Sequence, residues 1–265
     1  MAAPELIGRD RELGVLADLI DQAEHSGAAV VMLGDPGIGK SSLLRAAADR
    51  GRAAGLRVLA TTGIEAEAHL PFAGLHHLLR PVLREMSRLP AAKAEALSTA
   101  FGMSEGPSPE PFMIALATLN LLADVATERP VLVVADDVQW LDQPTQDALT
   151  FLARRVSGDP IVLIGAVRRP HDTALAAASL PELDLRGLDK ASARNVLATN
   201  AARLSYADTE RILRAAAGNP LDQGERIAGC RAQDPLGVRV AQPGGGRGQD
   251  VTRGSLVQPA QIQLG

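Results

Sequence analysis

The run Gly34-Asp35-Pro36-Gly37-Ile38-Gly39-Lys40-Ser41 carries the spacing G-x-x-x-x-G-K-S, which suits a loop that wraps phosphate. Its glycines allow a tight turn and bring successive N–H groups up to phosphate oxygens with no Cβ in the way. A helix starting near Lys40 adds unpaired N–H donors and the positive end of its dipole. Lys40 then sets a compact charge against β- and γ-phosphates, and the Ser41 hydroxyl completes a magnesium shell, with Ser42 next in the same turn. The plainer alternative is a glycine-rich turn with a solvated lysine. Asp136 and Asp137, following the apolar run Val131–Ala135, are a second candidate pair. At the carboxyl end of a strand, Asp136 is placed to hold magnesium through water and Asp137 to orient or deprotonate an attacking water. Two solvated loop acids are the alternative. Arg168 follows the apolar run Ile161–Val167. Its guanidinium is expected to reach a γ-phosphate and report its loss; with Arg169 adjacent, a solvated basic pair stays open.

These residues need a sheet to hold them. Ala28–Leu33, Leu56–Ala60, Val131–Ala135, Ile161–Val167 and Leu183–Leu185 read as strands. Continuous rather than alternating apolar runs suit parallel strands covered on both faces. Helical spacing appears at Lys40–Ala54, Phe72–Leu83, Pro90–Phe101, Pro109–Ala126, Thr145–Val156, Lys190–Ala201 and Ala207–Ala217. The order predicts an α/β fold: an open parallel sheet flanked by helices, followed by the start of a small helical lid. Trp140, the one tryptophan, follows Gln139 and is expected to pack the loop under the next helix. His69, His76 and His77 have no companion ligand cluster and read as surface or core residues.

Composition narrows the function classes. The chain has 265 residues, net charge −4, 46% hydrophobic and 22% charged residues, ordinary for a soluble protein. Mild acidity excludes a strongly basic nucleic-acid-coating protein. Cys230 alone excludes an internal disulfide framework or a multi-cysteine zinc site. The N-terminus lacks a secretory pattern, and Phe112–Ala123 is too short to span a bilayer and contains Thr118 and Asn120, so a cytoplasmic setting is expected. The composition also breaks near residue 222. Residues 223–265 hold seven glutamines and nine glycines, against four glutamines in all of 1–222. Without apolar periodicity this tail is expected to be disordered, a flexible linker being the alternative.

LIGRDREL (Leu6–Leu13), GDPGIGKSS (Gly34–Ser42), LPFAGLHHLL (Leu70–Leu79), VLVVADDVQWLD (Val131–Asp142) and GNPL (Gly218–Leu221) occur in this order. Together they resemble the AAA-type ATPase region of large ATP-binding regulators of the LuxR family, which belong with the signal-transduction ATPases with numerous domains (STAND). The resemblance implies a P-loop NTPase core over 1–186, a helical lid beginning over 187–222, and ATP, ADP and Mg2+ as ligands. Lys40 and Ser41 match the Walker A loop, Asp136 the Walker B magnesium acid, Asp137 the catalytic acid and Arg168 the sensor arginine. Pro220 matches the GxP proline near adenine, and Ile7 and Gly8 border the base. The family implies an ATP switch in self-association, reset by slow hydrolysis of ATP to ADP and phosphate, and a promoter-binding helix-turn-helix further on. After Leu221 the likeness stops. We therefore expect a truncated or frame-shifted product without the DNA-binding part, testable in the alternative reading frames of the coding DNA. A stand-alone AAA-type ATPase driving assembly of a partner, or a non-functional remnant, are the other readings.

Overall fold

Each apolar run becomes a strand, and the central ones bury side chains on both faces. In the computed structural model, which describes residues 6–200 and 206–221, the strands are β1 (Ala28–Gly34), β2 (Arg57–Thr62), β3 (Val131–Asp136), β4 (Ile161–Arg168) and β5 (Glu182–Asp184). They form one parallel sheet in the order β2-β3-β4-β1-β5. Along β3, Val131, Val133 and Ala135 enter one core while Leu132 and Val134 enter the other. Along β4, Ile161, Leu163 and Val167 alternate in the same way with Val162, Ile164 and Ala166. The two-residue alternation of a strand is present, but both faces are apolar, so it is invisible in the sequence.

Helices α1 (Asp10–Asp21) and α2 (Lys40–Ala53) cover one face, burying Leu16, Ile20, Leu43, Leu44 and Ala47. The opposite face is covered by α3 (Ala73–Leu79), a 3-10 segment Arg80–Arg88, α4 (Ala91–Ala100), α5 (Pro111–Ala126) and α6 (Gln143–Ala153). Helices α7 (Lys190–Asn200) and α8 (Tyr206–Ala216) follow β5. The expected parallel sheet with flanking helices is therefore observed. One helical pattern, Phe72–Leu83, divides at Arg80. Pro81 lacks an N–H, and its ring would meet the carbonyl four residues back, so the α-helix stops and a tighter turn takes over. Helix α1 leaves little trace in the sequence, although Asp10 and Glu12 in its first turn favour the positive end of its dipole. Ala201, Cys230 and the 223–265 tail lie outside the described residues.

The chain leaving β1 crosses past β4 and β3 to reach β2, whereas the chain leaving β4 crosses β1 to reach β5. Connections thus depart in opposite senses from the carboxyl ends of β1 and β4, and such a switch point leaves a crevice for a ligand. The phosphate-loop motif and Arg168 stand at this place. Among the described residues no helix is long and apolar enough to cross a membrane.

Candidate nucleotide site

Strand β1 ends at Gly34, and the chain turns through Gly37 (φ 75°) and Gly39 (φ 108°) into α2, whose first residue is Lys40. At Gly37 two demands coincide: the backbone is left-handed, and a Cβ would lie 2.5 Å from the Leu221 Cβ. The first turn of α2, with Ser41 and Ser42, offers N–H groups that have no partner within the helix. Lys40 Nζ donates to the carbonyls of Gly34 and Asp35, at 2.7 and 2.8 Å. Burial, then the positive charge of Arg168, lowers the Lys40 pKa, while Asp137, Asp136 and Asp35 pull it back up. The side chain of Ile38 is buried in the core beneath the loop, and its carbonyl accepts from Arg9 Nη2 at 2.7 Å.

The acidic pair sits one strand beyond β4. Asp136 closes β3, and its Oδ1 accepts the Asp137 N–H at 2.9 Å. Asp137 adopts a left-handed conformation (φ 46°) that non-glycine residues rarely occupy. Its carboxylate is gripped side-on by Arg168: Nε donates to Oδ1 at 2.7 Å and Nη2 to Oδ2 at 2.6 Å. Gln139 Nε2 adds a third bond to Oδ1 at 3.1 Å, while Gln139 Oε1 accepts the backbone N–H of Arg168 at 3.0 Å. Burial pushes the Asp137 pKa up, but the bonds from Arg168 and Gln139, with the charges of Arg168 and Lys40, bring it below the ordinary value. The Arg168 pKa rises in turn, chiefly through its bond to Asp137.

Distant parts of the chain meet in a cleft of about 320 Å³ lined by Gly37, Gly39, Lys40, Ser41, Ser42, Asp137, Arg168, Pro220 and Leu221. Asn219 ties the last of these to the first, donating Nδ2 to the Pro36 carbonyl at 2.8 Å. A second cleft of about 270 Å³ adjoins Gly39 and Ser42; Leu6, Ile7, Ile38, Leu188 and Val196 make it mostly apolar, and Pro220 lines this one too. Ile7 lines this apolar cleft. Gly8 does not line it: with φ 71° it abuts α7, where a Cβ would fall 2.4 Å from Ser192 Oγ. Trp140 is half-buried, its ring meeting the edge of His171 in the β4–β5 connection at 5.1 Å. His76 meets Phe101 edge-on at 5.2 Å.

Several contributors carry little signal in the sequence. Arg9 is buried and anchors the phosphate loop by its Ile38 carbonyl. Gln139 and Asn219 lie in the segments VLVVADDVQWLD and GNPL, where residue type alone does not reveal their partners. Asp142, at the N-cap of α6, accepts from the Phe72 and Gly74 amides and so fixes the β2–α3 connection. Only Asp142 had a readable signal, an acid three residues before Thr145 at a helix start.

The donors fit a magnesium–triphosphate ligand. Ser41 lines the cleft, Asp136 closes β3 beside Asp137, which lines it too, and magnesium takes few protein oxygens because it keeps waters and phosphates. A parallel sheet with this loop at the end of β1 and an acid at the end of β3 defines a P-loop NTPase fold. Residues 5–164, over half of the chain, match the AAA ATPase domain family, and the chain belongs to that family.

It is 28% identical over 217 residues to an uncharacterized protein of Rhizobium meliloti, covering 71% of this chain and 21% of that protein. The chain thus spans about a fifth of the length of this curated relative. Among solved structures it resembles a Walker-type ATPase of Pyrococcus abyssi, with a TM-score of 0.55, 16% identity and coverage of 87% and 69% of the two chains. A mutant of RuvB from Thermotoga maritima matches with a TM-score of 0.51 and 16% identity, covering 89% of this chain and 66% of that one. At such identities the likeness is one of fold.

Proposed function

We propose that this AAA ATPase domain is the ATP-binding switch of a STAND-type regulator of the LuxR family, hydrolysing ATP slowly. The observation that carries the site is the convergence of Gly37, Gly39, Lys40, Ser41, Ser42, Asp137, Arg168 and Pro220 on one cleft. In this reading Lys40 and the α2 amides hold the β- and γ-phosphates, and the adenine lies in the apolar cleft beside Ile7 and Pro220. Ser41 and Asp136 hold magnesium, which when bound supplies charge neutralisation across the phosphates. Arg168 contacts the γ-phosphate, and Asp137 orients the water whose attack yields ADP and phosphate. Arg168 engages both oxygens of Asp137 and must leave them before that acid can orient a water, which supports slow rather than rapid turnover. Residues 187–222 act as the beginning of a lid: Asn219 hydrogen-bonds the phosphate loop and Leu221 lies against Gly37. Transcriptional control and self-association are assigned to the larger protein of which such a domain is part; DNA contact is not assigned to the described residues.

The deciding experiment is a titration of the full chain with a fluorescent ATP analogue, repeated on Lys40→Ala. Charge-assisted bonds contribute about 1.5–3 kcal/mol each, so the variant is expected to bind about a hundredfold more weakly or worse. Equal affinity would overturn the site. Tight binding with negligible turnover supports the switch; steady turnover stimulated by a partner supports a stand-alone assembly ATPase.

A further inference from the structure

A third cleft, of about 280 Å³, opens at the carboxyl end of β2, at the opposite edge of the sheet from β5. It shares no lining residue with the phosphate cleft or the apolar cleft beside it. Its walls come from the end of β2, the 3-10 turn Glu65–Glu67, α3 and the loop before α6. Bonds within the protein already fix these walls. Thr61 Oγ1 donates to the Gly74 carbonyl at 3.0 Å, Asp142 accepts the Phe72 and Gly74 amides, and the Leu75 N–H donates to Thr145 Oγ1 at 3.0 Å. Glycine at position 74 lets α3 close on the loop, since a Cβ there would lie 2.6 Å from Leu141 Cδ2. A concavity already in shape costs an entering ligand little ordering of the protein.

The chemistry of the walls selects a charge. Ile64, 51% exposed, and Leu141 offer apolar surface, Trp140 a half-buried indole, and Glu67 an exposed carboxylate. Among the described residues no lysine or arginine lines the cleft, and no ion pair engages Glu67. Asp142 is a second acid on the wall and His77 its other titratable side chain, so the lining is negative whether or not His77 carries a proton. An anion is repelled there, and a neutral molecule gains nothing from the carboxylate. A cation with a short apolar body meets every group: its charge faces Glu67 and the indole, its body Ile64 and Leu141. We propose that this cleft binds a small free alkylammonium compound, with Glu67 and Trp140 reading its charge. The site stands apart from the nucleotide reading and does not rest on it.

Trp140 is the single tryptophan of the chain, so its fluorescence reports from the cleft itself. The full chain is titrated with n-butylammonium chloride, and with n-butanol and sodium n-butyrate as neutral and anionic counterparts, at constant ionic strength. Butylammonium is expected to change the emission saturably, butanol to bind at least about threefold more weakly, and butyrate not to bind. Glu67→Gln keeps the shape of an exposed side chain and removes its charge. It is expected to weaken butylammonium about three- to fivefold and to leave butanol within about twofold. Glu67→Lys is expected to abolish the butylammonium response. Trp140→Leu, followed by calorimetry, is expected to cost about fivefold; should it lose its thermal transition, the two Glu67 variants decide. No saturation with butylammonium, equal binding of butanol, or unchanged affinity in Glu67→Gln overturns the proposal. A loss shared by butanol shows that Glu67 shapes the wall without reading charge, and overturns its assignment. Tighter binding of Nα-acetyl-lysine amide than of butylammonium would give the cleft to a partner's lysine side chain and overturn the small-ligand reading.

Discussion

Two aspartates leave β3 on one short loop, Asp137 and Asp142, and they are held by opposite means. Asp142 is 2% exposed and accepts four hydrogen bonds: from the amides of Phe72 (2.7 Å), Gly74 (3.0 Å) and Thr145 (2.9 Å), and from the Thr145 hydroxyl (2.7 Å). Three of those donors are main chain, from two segments far apart in sequence. Asp137 is half-buried, and its three bonds come from side chains alone, two of them from one guanidinium. A backbone amide is released only by moving the chain. A guanidinium at the mouth of a cleft can exchange a carboxylate for a phosphate, since both offer paired anionic oxygens. One acid builds the loop; the other is arranged to be let go.

The largest effect that follows is on stability. Asp142→Ala deprives four donors of their acceptor at a site closed to water, and each orphaned buried group costs about 1–3 kcal/mol. Partial relaxation leaves an expected loss of about 3–5 kcal/mol, read as a lower urea midpoint with an unchanged slope. The β2–α3 connection, held at Phe72 in a left-handed conformation (φ 63°), is expected to lose its hydrogen-exchange protection first. A loss below about 1 kcal/mol would mean that water replaces the carboxylate, and the contrast between the two acids would collapse.

The difference between the acids also explains what the sequence made legible. The phosphate loop and the strands were readable because their signals are local: glycines at fixed offsets before a lysine, and apolar runs bounded by turns. Asp137 and Arg168 were readable as positions, each at the end of an apolar strand. Their mutual grip was not, because it depends on β3 and β4 being neighbours in the sheet, a pairing of residues 31 apart. Arg9 was opaque for the same reason: its partner, the Ile38 carbonyl, lies 29 residues away and has no side-chain signature. In the GNPL turn the proline carries the sequence signal, yet Asn219 makes the bond to the phosphate loop across 183 residues. Helix α1 is opaque in the sequence although Leu16 and Ile20 are buried, since its flanks carry little beyond an acidic first turn.

A smaller effect is expected at the exchangeable acid. Arg168 is 38% exposed, so the pair is screened, and Asp137→Asn is expected to lose only about 1 kcal/mol at neutral pH. The same variant weakens the hold on Arg168 and should raise the preference for a non-hydrolysable ATP analogue over ADP. A loss as large as that of Asp142→Ala would make Asp137 a structural acid and remove the distinction.

The smallest effect is the pH dependence of that difference, and its sign follows from the lowered pKa of Asp137. The folded state binds the proton more weakly than the unfolded chain, whose carboxyl titrates near 3.9. The stabilisation is therefore complete above that unfolded value and disappears as the pH falls through the lower folded one. Wild-type and Asp137→Asn chains should differ in stability by a constant amount from pH 7 down to about 5, and then converge below about 4 as the carboxylate of the wild type is protonated. Thermal unfolding of both chains across that range measures it. A difference that persists undiminished in acid would show that the carboxylate charge is not what holds Arg168, and that the grip is one of shape.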